Sequence, residues 1–254
     1  MRQGFTDISA TPVAHRIIYK LMIAVKTEVK KTVTLDDVKK HLKVEMLILK
    51  ADKNLEALGY TEHGKRHVSW VAKNAGRIMR KLDFPERRAQ LAEIAGYLHD
   101  IGNAVNRVGH EHVGALLAKD ILTELSMPFE EILEIMAAIG NHHEESGYPV
   151  SDIAAALIIA DKADVHRTRV RPQNRTSLAL VNDIHDRVNY ASTLSRIEID
   201  PNDRIISYNI EIDINIAPVY EYFEIFLDRL IISRKAAKVL NAELHLYING
   251  VRMA

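Results

Sequence analysis

Apolar residues recur along this chain at two different periods, and the switch between them divides it. Over most of the chain they return at steps of three and four, the period of an amphipathic helix, and after about residue 190 they alternate. Near the start, one helix is predicted from about Pro12 to Lys31. Another follows the cap-like run Thr34-Leu35-Asp36-Asp37, with Leu42, Met46 and Leu49 as the face that packs on what comes next. The stretch from about Thr61 to Leu82 places His67, Val71, Asn74 and Ile78 on one face, so the His67 imidazole points inward among apolar neighbours. A further helix begins near Pro85-Glu86, where proline suits a first turn. It runs through Leu91, Ile94, Ala95 and Leu98 and is stopped by Gly102. Phe129, Ile132, Leu133, Met136, Ile139, Gly140 and His143 form another stripe, and Ala154, Leu157, Ile158 and Asp161 share a face of the helix after it.

In the last part of the chain Tyr208, Ile210, Ile212, Ile214 and Ile216 alternate with Asn209, Glu211, Asp213 and Asn215, the pattern of a half-buried strand. Pro201-Asn202-Asp203 supplies a turn back to an earlier strand, Leu194 to Asp200. A helix from about Val219 to Leu240 and a short strand, Leu244 to Ile248, complete a ββαβ unit. The expected class is therefore mainly α with a small C-terminal α+β unit. Its expected parts are N-terminal helices over 1–60, a helical domain over 61–190 and the ββαβ unit over 191–254. One helix on a three-stranded sheet leaves a face or an edge to be covered, and a homodimer is expected to help cover it.

Composition narrows the class of partner. With 254 residues and 47% hydrophobic content the chain can bury a large core. Lysine plus arginine equals aspartate plus glutamate at 34 each, so no general electrostatic grip on nucleic acid or an anionic membrane is expected. The absence of cysteine excludes disulfides and thiolate metal sites and fits a reducing compartment. The apolar run VAHRIIYKLMIAV is interrupted by His15, Arg16 and Lys20 and is too short to span a bilayer. No export signal is visible, and a cytoplasmic enzyme is expected.

The chemistry concentrates at helix ends. His67 is followed by the pair His99-Asp100, by His110 after a glycine, by His142-His143, and by Asp161 within IAAALIIADKAD. Five imidazoles and two carboxylates at the ends of apolar elements would be costly to bury unpaired, and they are the ligand types that suit borderline first-row metals. Seven such groups fit two ions, and an aspartate can bridge them through its two oxygens. His15, His41, His185 and His245 show no partner spacing and read as structural.

The order His, His-Asp, His, His-His, Asp resembles the HD superfamily of metal-dependent phosphohydrolases. The likeness covers roughly residues 60–170, through HVSWVA, LHDIGN, GHEHVGA, NHHEESGYP and IIADKADV. It is similar to the multi-histidine branch that includes the HD-GYP cyclic-dinucleotide phosphodiesterases. The resemblance implies an HD-domain helical bundle in which His67, His99, Asp100 and Asp161 hold one metal. It further implies that Asp100 bridges to a second metal, bound by His110, His142 and His143. Asn103 stands where HD-GYP proteins carry a lysine, and HHEESGYP is shorter than their loop, so the phosphate grip differs. His63 occupies a place where some trinuclear members have a glutamate ligand. A third metal, or support of His67 from behind, is implied there.

These readings converge on a hydrolase of a phosphomonoester or phosphodiester with a nucleotide-like, phosphorylated small-molecule substrate. It would use two divalent ions, iron or manganese, and attack by metal-bridging hydroxide. Arg167, Arg169 and Arg171 in VHRTRVRP, together with Asn103, are the expected phosphate-binding groups. Asp164 and Lys162, within a turn of Asp161, are expected to orient ligands or donate a proton. Two alternatives stay open. One is a di-iron oxygenase of the HD type, and the other a nucleotide-sensing module without turnover.

Overall fold

A computed structural model describes residues 32–253, and the helix expected from Pro12 to Lys31 lies outside the described residues. From Val33 onward the chain packs as one compact unit. Its helices are α1 (Leu35–Lys39), α2 (Leu42–Ala57), α3 (Lys65–Lys81), α4 (Glu86–Leu98), α5 (His110–Glu124), α6 (Phe129–Gly140), α7 (Asp152–Lys162), α8 (Ser177–Asn182), α9 (Ile184–Ala191) and α10 (Val219–Val239). Short 3-10 turns cover Ile101–Ala104, Arg167–Arg169 and Pro172–Asn174. Strands β1 (Ser192–Asp200), β2 (Ile205–Ile212), β3 (Glu243–Ile248) and β4 (Val251–Arg252) form one sheet in that order. The protein is thus mainly α with a small C-terminal sheet, as the periodicity predicts. Among the described residues no helix is long and apolar enough to cross a membrane.

Helix α7 lies at the centre. Its run IAAALIIA is apolar on every side, every residue from Ile153 to Lys162 is buried, and α3, α4, α6 and α10 all pack on it. Helices α3 and α4 lie against each other so closely at Gly96 that a Cβ there would come within 2.9 Å of the Ala72 Cα. Gly102 is tighter still, because a Cβ would stand 1.9 Å from the His110 carbonyl oxygen. That approach brings the end of α4 up against the start of α5. At the other end of the described chain, Thr34 opens α1 with a capping box: the Asp37 amide donates to Thr34 Oγ1, and the Thr34 amide to the Asp37 carboxylate.

Several expected faces are turned. Leu42 is 69% exposed, and Met46 and Leu49 also face outward, while Val44, Ile48, Ala51 and Leu55 form the buried side of α2. Two apolar stripes compete on that helix, and the one continuing over three turns packs. In α6 the buried residues are Ile132, Ile135, Ala138 and Ile139, whereas Phe129 and Leu133 are exposed, so the helix delivers His142 to the interior before His143.

Strands β1 and β2 make the expected hairpin, with buried Ile206, Tyr208, Ile210 and Ile212 alternating along β2. The strand starts earlier than expected and ends at Ile212. There Asp213 Oδ1 accepts from the Asn215 amide at 3.0 Å, turning the chain and leaving Ile214 exposed. Helix α10 then crosses over to β3, which pairs with β2 in parallel. The turn Asn249-Gly250, with φ of 51° and 78°, adds the unexpected β4. The Tyr208 hydroxyl, on the sheet, donates to the Ile159 carbonyl of α7 at 2.7 Å and lies 3.0 Å from Ser233 Oγ on α10.

Candidate metal centre

The fold brings six of the seven expected ligands to one point. His67 comes from the first turn of α3, and His99 and Asp100 follow α4. His110 opens α5 after Gly109, His142 follows α6, and Asp161 stands in the last turn of α7. All six are buried, none more than 9% exposed.

Their outer contacts fix the chemistry of the inner ones. Four Nδ1 atoms each face an oxygen acceptor: His67 the Asp164 carboxylate at 2.7 Å, His99 the Gly96 carbonyl at 2.9 Å, His110 the Arg107 carbonyl at 2.9 Å and His142 the Ile139 carbonyl at 2.6 Å. A nitrogen facing a carbonyl or carboxylate oxygen must carry the hydrogen, so the lone pair of each neutral ring is on Nε2. Those Nε2 atoms converge, His67 to His99 at 3.3 Å and His110 to His142 at 3.2 Å. Lone pairs at such distances repel unless a cation or a shared proton stands between them.

The carboxylates complete two sets. Asp100 Oδ2 lies 3.6 Å from His67 Nε2 and 3.3 Å from His99 Nε2, and Asp161 Oδ1 lies 3.3 Å and 3.6 Å from the same two atoms. Donor atoms at about 2.0–2.2 Å from one ion are roughly 3.0–3.6 Å apart, and this quartet fits that spacing. The other oxygen, Asp100 Oδ1, faces His110 Nε2 at 3.5 Å and His142 Nε2 at 4.0 Å. Two overlapping groups, His67 with His99 and Asp161, and His99 with Asp100 and His142, have donor atoms close enough to share an ion. His143 is half-buried outside this cluster, its ring 5.1 Å from that of His110 and its Nε2 3.5 Å from an Arg107 nitrogen.

Electrostatics separate the rings. Burial pushes His142 well below the usual histidine range and His110 down to about 4, which keeps both neutral. Burial also opposes a charge on His99, but the Asp100 and Asp161 carboxylates outweigh it and lift that ring to about 10. Asp161 and Asp100 are held far below the carboxylate range, burial opposing and the Lys162 charge and the histidines prevailing.

The remaining expected site residues support or surround this cluster. Asp164 Oδ2 holds His67 and also accepts from Arg66 Nη2 at 2.7 Å; burial would raise this carboxyl, but the His67 hydrogen bond and the Arg169 and Arg66 charges keep it far below its ordinary value. Lys162 Nζ bridges Asp161 Oδ2 at 2.7 Å and Glu144 Oε2 at 2.6 Å, and Arg229 of α10 reaches Glu144 Oε1 at 3.3 Å. His63 donates through Nδ1 to the Thr61 carbonyl at 2.7 Å, with its ring edge-on to His67 at 5.4 Å.

Three groups expected at phosphate have other work. The Asn103 amide donates to the Asp100 carbonyl and to Asp100 Oδ1 at 2.9 Å, so it orients the carboxylate. Arg169 is buried with its guanidinium on the carbonyls of Glu62 and Asp164, and Arg171 on Asp52 and the Tyr60 carbonyl. Both arginines therefore fasten the segment after α7 to the turn before α3. Arg167 lies over the Tyr190 ring at 5.4 Å.

Over the cluster opens a cleft of about 650 Å³, lined among others by Tyr60, His63, Arg107, His143, Asn189 and Phe226. Glu144, Arg66 and Arg107 are contributors that the sequence reading passed over. Glu144 stands directly after His143 and Arg66 directly before His67, places that could have marked both, while Arg107 carried no such signal.

Residues 65–169 match the HD domain family. Among curated proteins, an uncharacterized protein of Methanocaldococcus jannaschii is 31% identical over 137 residues, 45% of this chain and 52% of that protein. Ribonuclease Y of Lawsonia intracellularis is 36% identical over 105 residues, 40% of this chain and 18% of that protein. Ribonuclease Y of Streptococcus sanguinis is 33% identical over 119 residues, 46% and 20% of the two chains. The aligned parts thus make up about half or less of each of these relatives. The chain contains an HD domain, formed by residues 65–169 and homologous to the HD domains of ribonuclease Y.

Proposed function

We propose that this protein is a metal-dependent phosphohydrolase that cleaves a phosphomonoester or phosphodiester in a nucleotide-like substrate, using two divalent ions, iron or manganese. The observation that carries the reading is the convergence of four Nε2 atoms on the two oxygens of Asp100, each ring held by its Nδ1. HD domains bind divalent metals, and this donor set of imidazoles and carboxylates suits them.

In this reading His67, His99, Asp100 and Asp161 hold one ion, and Asp100, His110, His142 and His143 the other. Bound there, the ions would supply Lewis acidity that activates water and neutralises phosphoryl oxygens. The chain supplies the rest. Asp164 sets the tautomer and orientation of His67, Asn103 holds the Asp100 carboxylate at its angle, and His63 supports the first site from the cleft side. Lys162 is a proton donor within reach of the site, poised between Asp161 and Glu144. The homology to ribonuclease Y, whose name describes cleavage of an RNA phosphodiester, favours the diester among the two bond types.

Elemental analysis of protein purified without a chelating tag, combined with a screen of nucleoside monophosphates, cyclic dinucleotides and short RNA, tests the proposal. Two ions per chain are expected, with both lost in Asp100→Ala and mainly the second lost in His142→Ala. At most one ion after anaerobic reconstitution would refute the dinuclear site. Turnover that survives complete metal removal would refute the mechanism.

A further inference from the structure

The cationic side chains around the cleft are not equally engaged. Arg66 is held by Glu62 and Asp164, Arg229 by Glu144, Lys162 by Asp161 and Glu144, and Arg169 by main-chain carbonyls. Arg107 differs. Among the described residues no carboxylate pairs with it, and its guanidinium lies over the Tyr60 ring at 5.3 Å. Its N–H groups meet only two imidazole nitrogens and an amide oxygen, at long range: His110 Nε2 at 3.3 Å, His143 Nε2 at 3.5 Å and Asn103 Oδ1 at 3.5 Å.

Two of those acceptors are lone pairs that the dinuclear reading assigns to the second ion. His110 Nδ1 faces the carbonyl of Arg107 itself, so the ring cannot turn over to offer a different nitrogen. One lone pair cannot serve a guanidinium and a divalent ion together, and two cations at that separation repel. The guanidinium must then swing off the imidazoles. The side chain is half-buried on the loop before α5, with the cleft and the aromatic face of Tyr60 beside it. A planar fork released there, next to two ions, has the geometry to take two oxygens of a phosphoryl group.

We infer that Arg107 is a displaceable anion clamp. It competes with the second ion for His110 and His143, and once displaced it grips a phosphoryl group in the cleft. This rests on the two-ion reading of the site and gives the phosphate-binding role to a residue the sequence motifs did not mark.

The test uses the full chain, Mn2+ as the metal and inorganic phosphate as the anion. In calorimetric titration of metal-stripped protein, Arg107→Ala should bind the second Mn2+ several-fold more tightly than the parent and the first ion equally well. Phosphate binding to the Mn2+-loaded protein should be about tenfold weaker in Arg107→Ala, the loss expected for a charge-assisted hydrogen bond. Arg107→Lys, which keeps the charge without the fork, should recover only part of the phosphate affinity. If the parent takes up two ions and Arg107→Ala changes neither the second Mn2+ affinity nor the phosphate affinity, the clamp is wrong while the dinuclear site stands. If the parent takes up only one ion, the dinuclear reading fails and the clamp with it.

Discussion

Asp164 touches none of the converging Nε2 atoms, yet replacing it with asparagine should disable the site. Its Oδ2 accepts from His67 Nδ1 at 2.7 Å and from Arg66 Nη2 at 2.7 Å, and its Oδ1 from Arg66 Nη1 at 3.2 Å. In Asp164→Asn one oxygen becomes an NH2 group, which must face either the imidazole N–H or the guanidinium. At least one charge-assisted bond is lost, worth about 1.5–3 kcal/mol, and a donor is left opposing a donor. Breaking a fully buried pair costs about 3–5 kcal/mol, but Arg66 is 34% exposed and can turn partly to water. A loss of about 2–3 kcal/mol in unfolding free energy is therefore expected for metal-stripped protein in urea. The larger effect should be on the metal: freeing a ligating histidine from its orienting partner typically lowers affinity by about 10–100-fold. Chelator competition with Mn2+ measures it. Glu62→Gln is the control, since Glu62 meets Arg66 only at Nε and otherwise accepts from the Gly64 amide, a bond the glutamine oxygen can keep, so affinity should be unchanged. Wild-type metal affinity in Asp164→Asn would mean that His67 is not a ligand or that Asp164 does not set its tautomer.

The His99 ring gives a pH signature. Its folded value of about 10 lies above the unfolded value of about 6.5, so its stabilisation is fully present below pH 6.5 and is lost as pH rises through 10. Chelated protein should lose thermal stability across that window. Affinity for the first ion should rise by about tenfold per pH unit over the same range, because that ion must displace the His99 proton. A flat profile in both would exclude a protonated His99. Separately, Tyr208→Phe removes the hydroxyl that reaches Ile159 and Ser233 and should cost about 1–2 kcal/mol without altering metal stoichiometry. Loss of bound metal in that variant would show that the sheet governs the site more directly than its distances imply.

The clustered histidines and aspartates were legible because each stands at the end of a periodic segment, where a short motif can be read without knowing what packs on it. The faces of α2 and α6 were not. Leu42-Met46-Leu49 and Val44-Ile48-Ala51 are both apolar at helical spacing, and only the neighbouring helices decide between them. The end of β2 was hidden for a smaller reason: alternation continues through Ile214 and Ile216, while the Asp213 side chain turns the backbone. Asn249-Gly250 was a readable hairpin signal. The arginines after α7 show the limit of local reading. A basic run suggests anion binding, but the partners of Arg171 are Asp52 and Tyr60, more than 100 positions away in the chain.

The stretch recognisable by descent is smaller than the stretch that folds. Helix α7 carries Asp161 and lies within the matched 65–169, but α10 covers one of its sides and the Tyr208 hydroxyl of β2 ties down its backbone, both from outside that range. The relay from Arg229 through Glu144 and Lys162 to Asp161 begins outside it too. Residues 65–169 cut free would uncover the apolar side of α7 on which α10 packs. The HD region of this chain therefore draws part of the cover of its central helix from residues beyond 169.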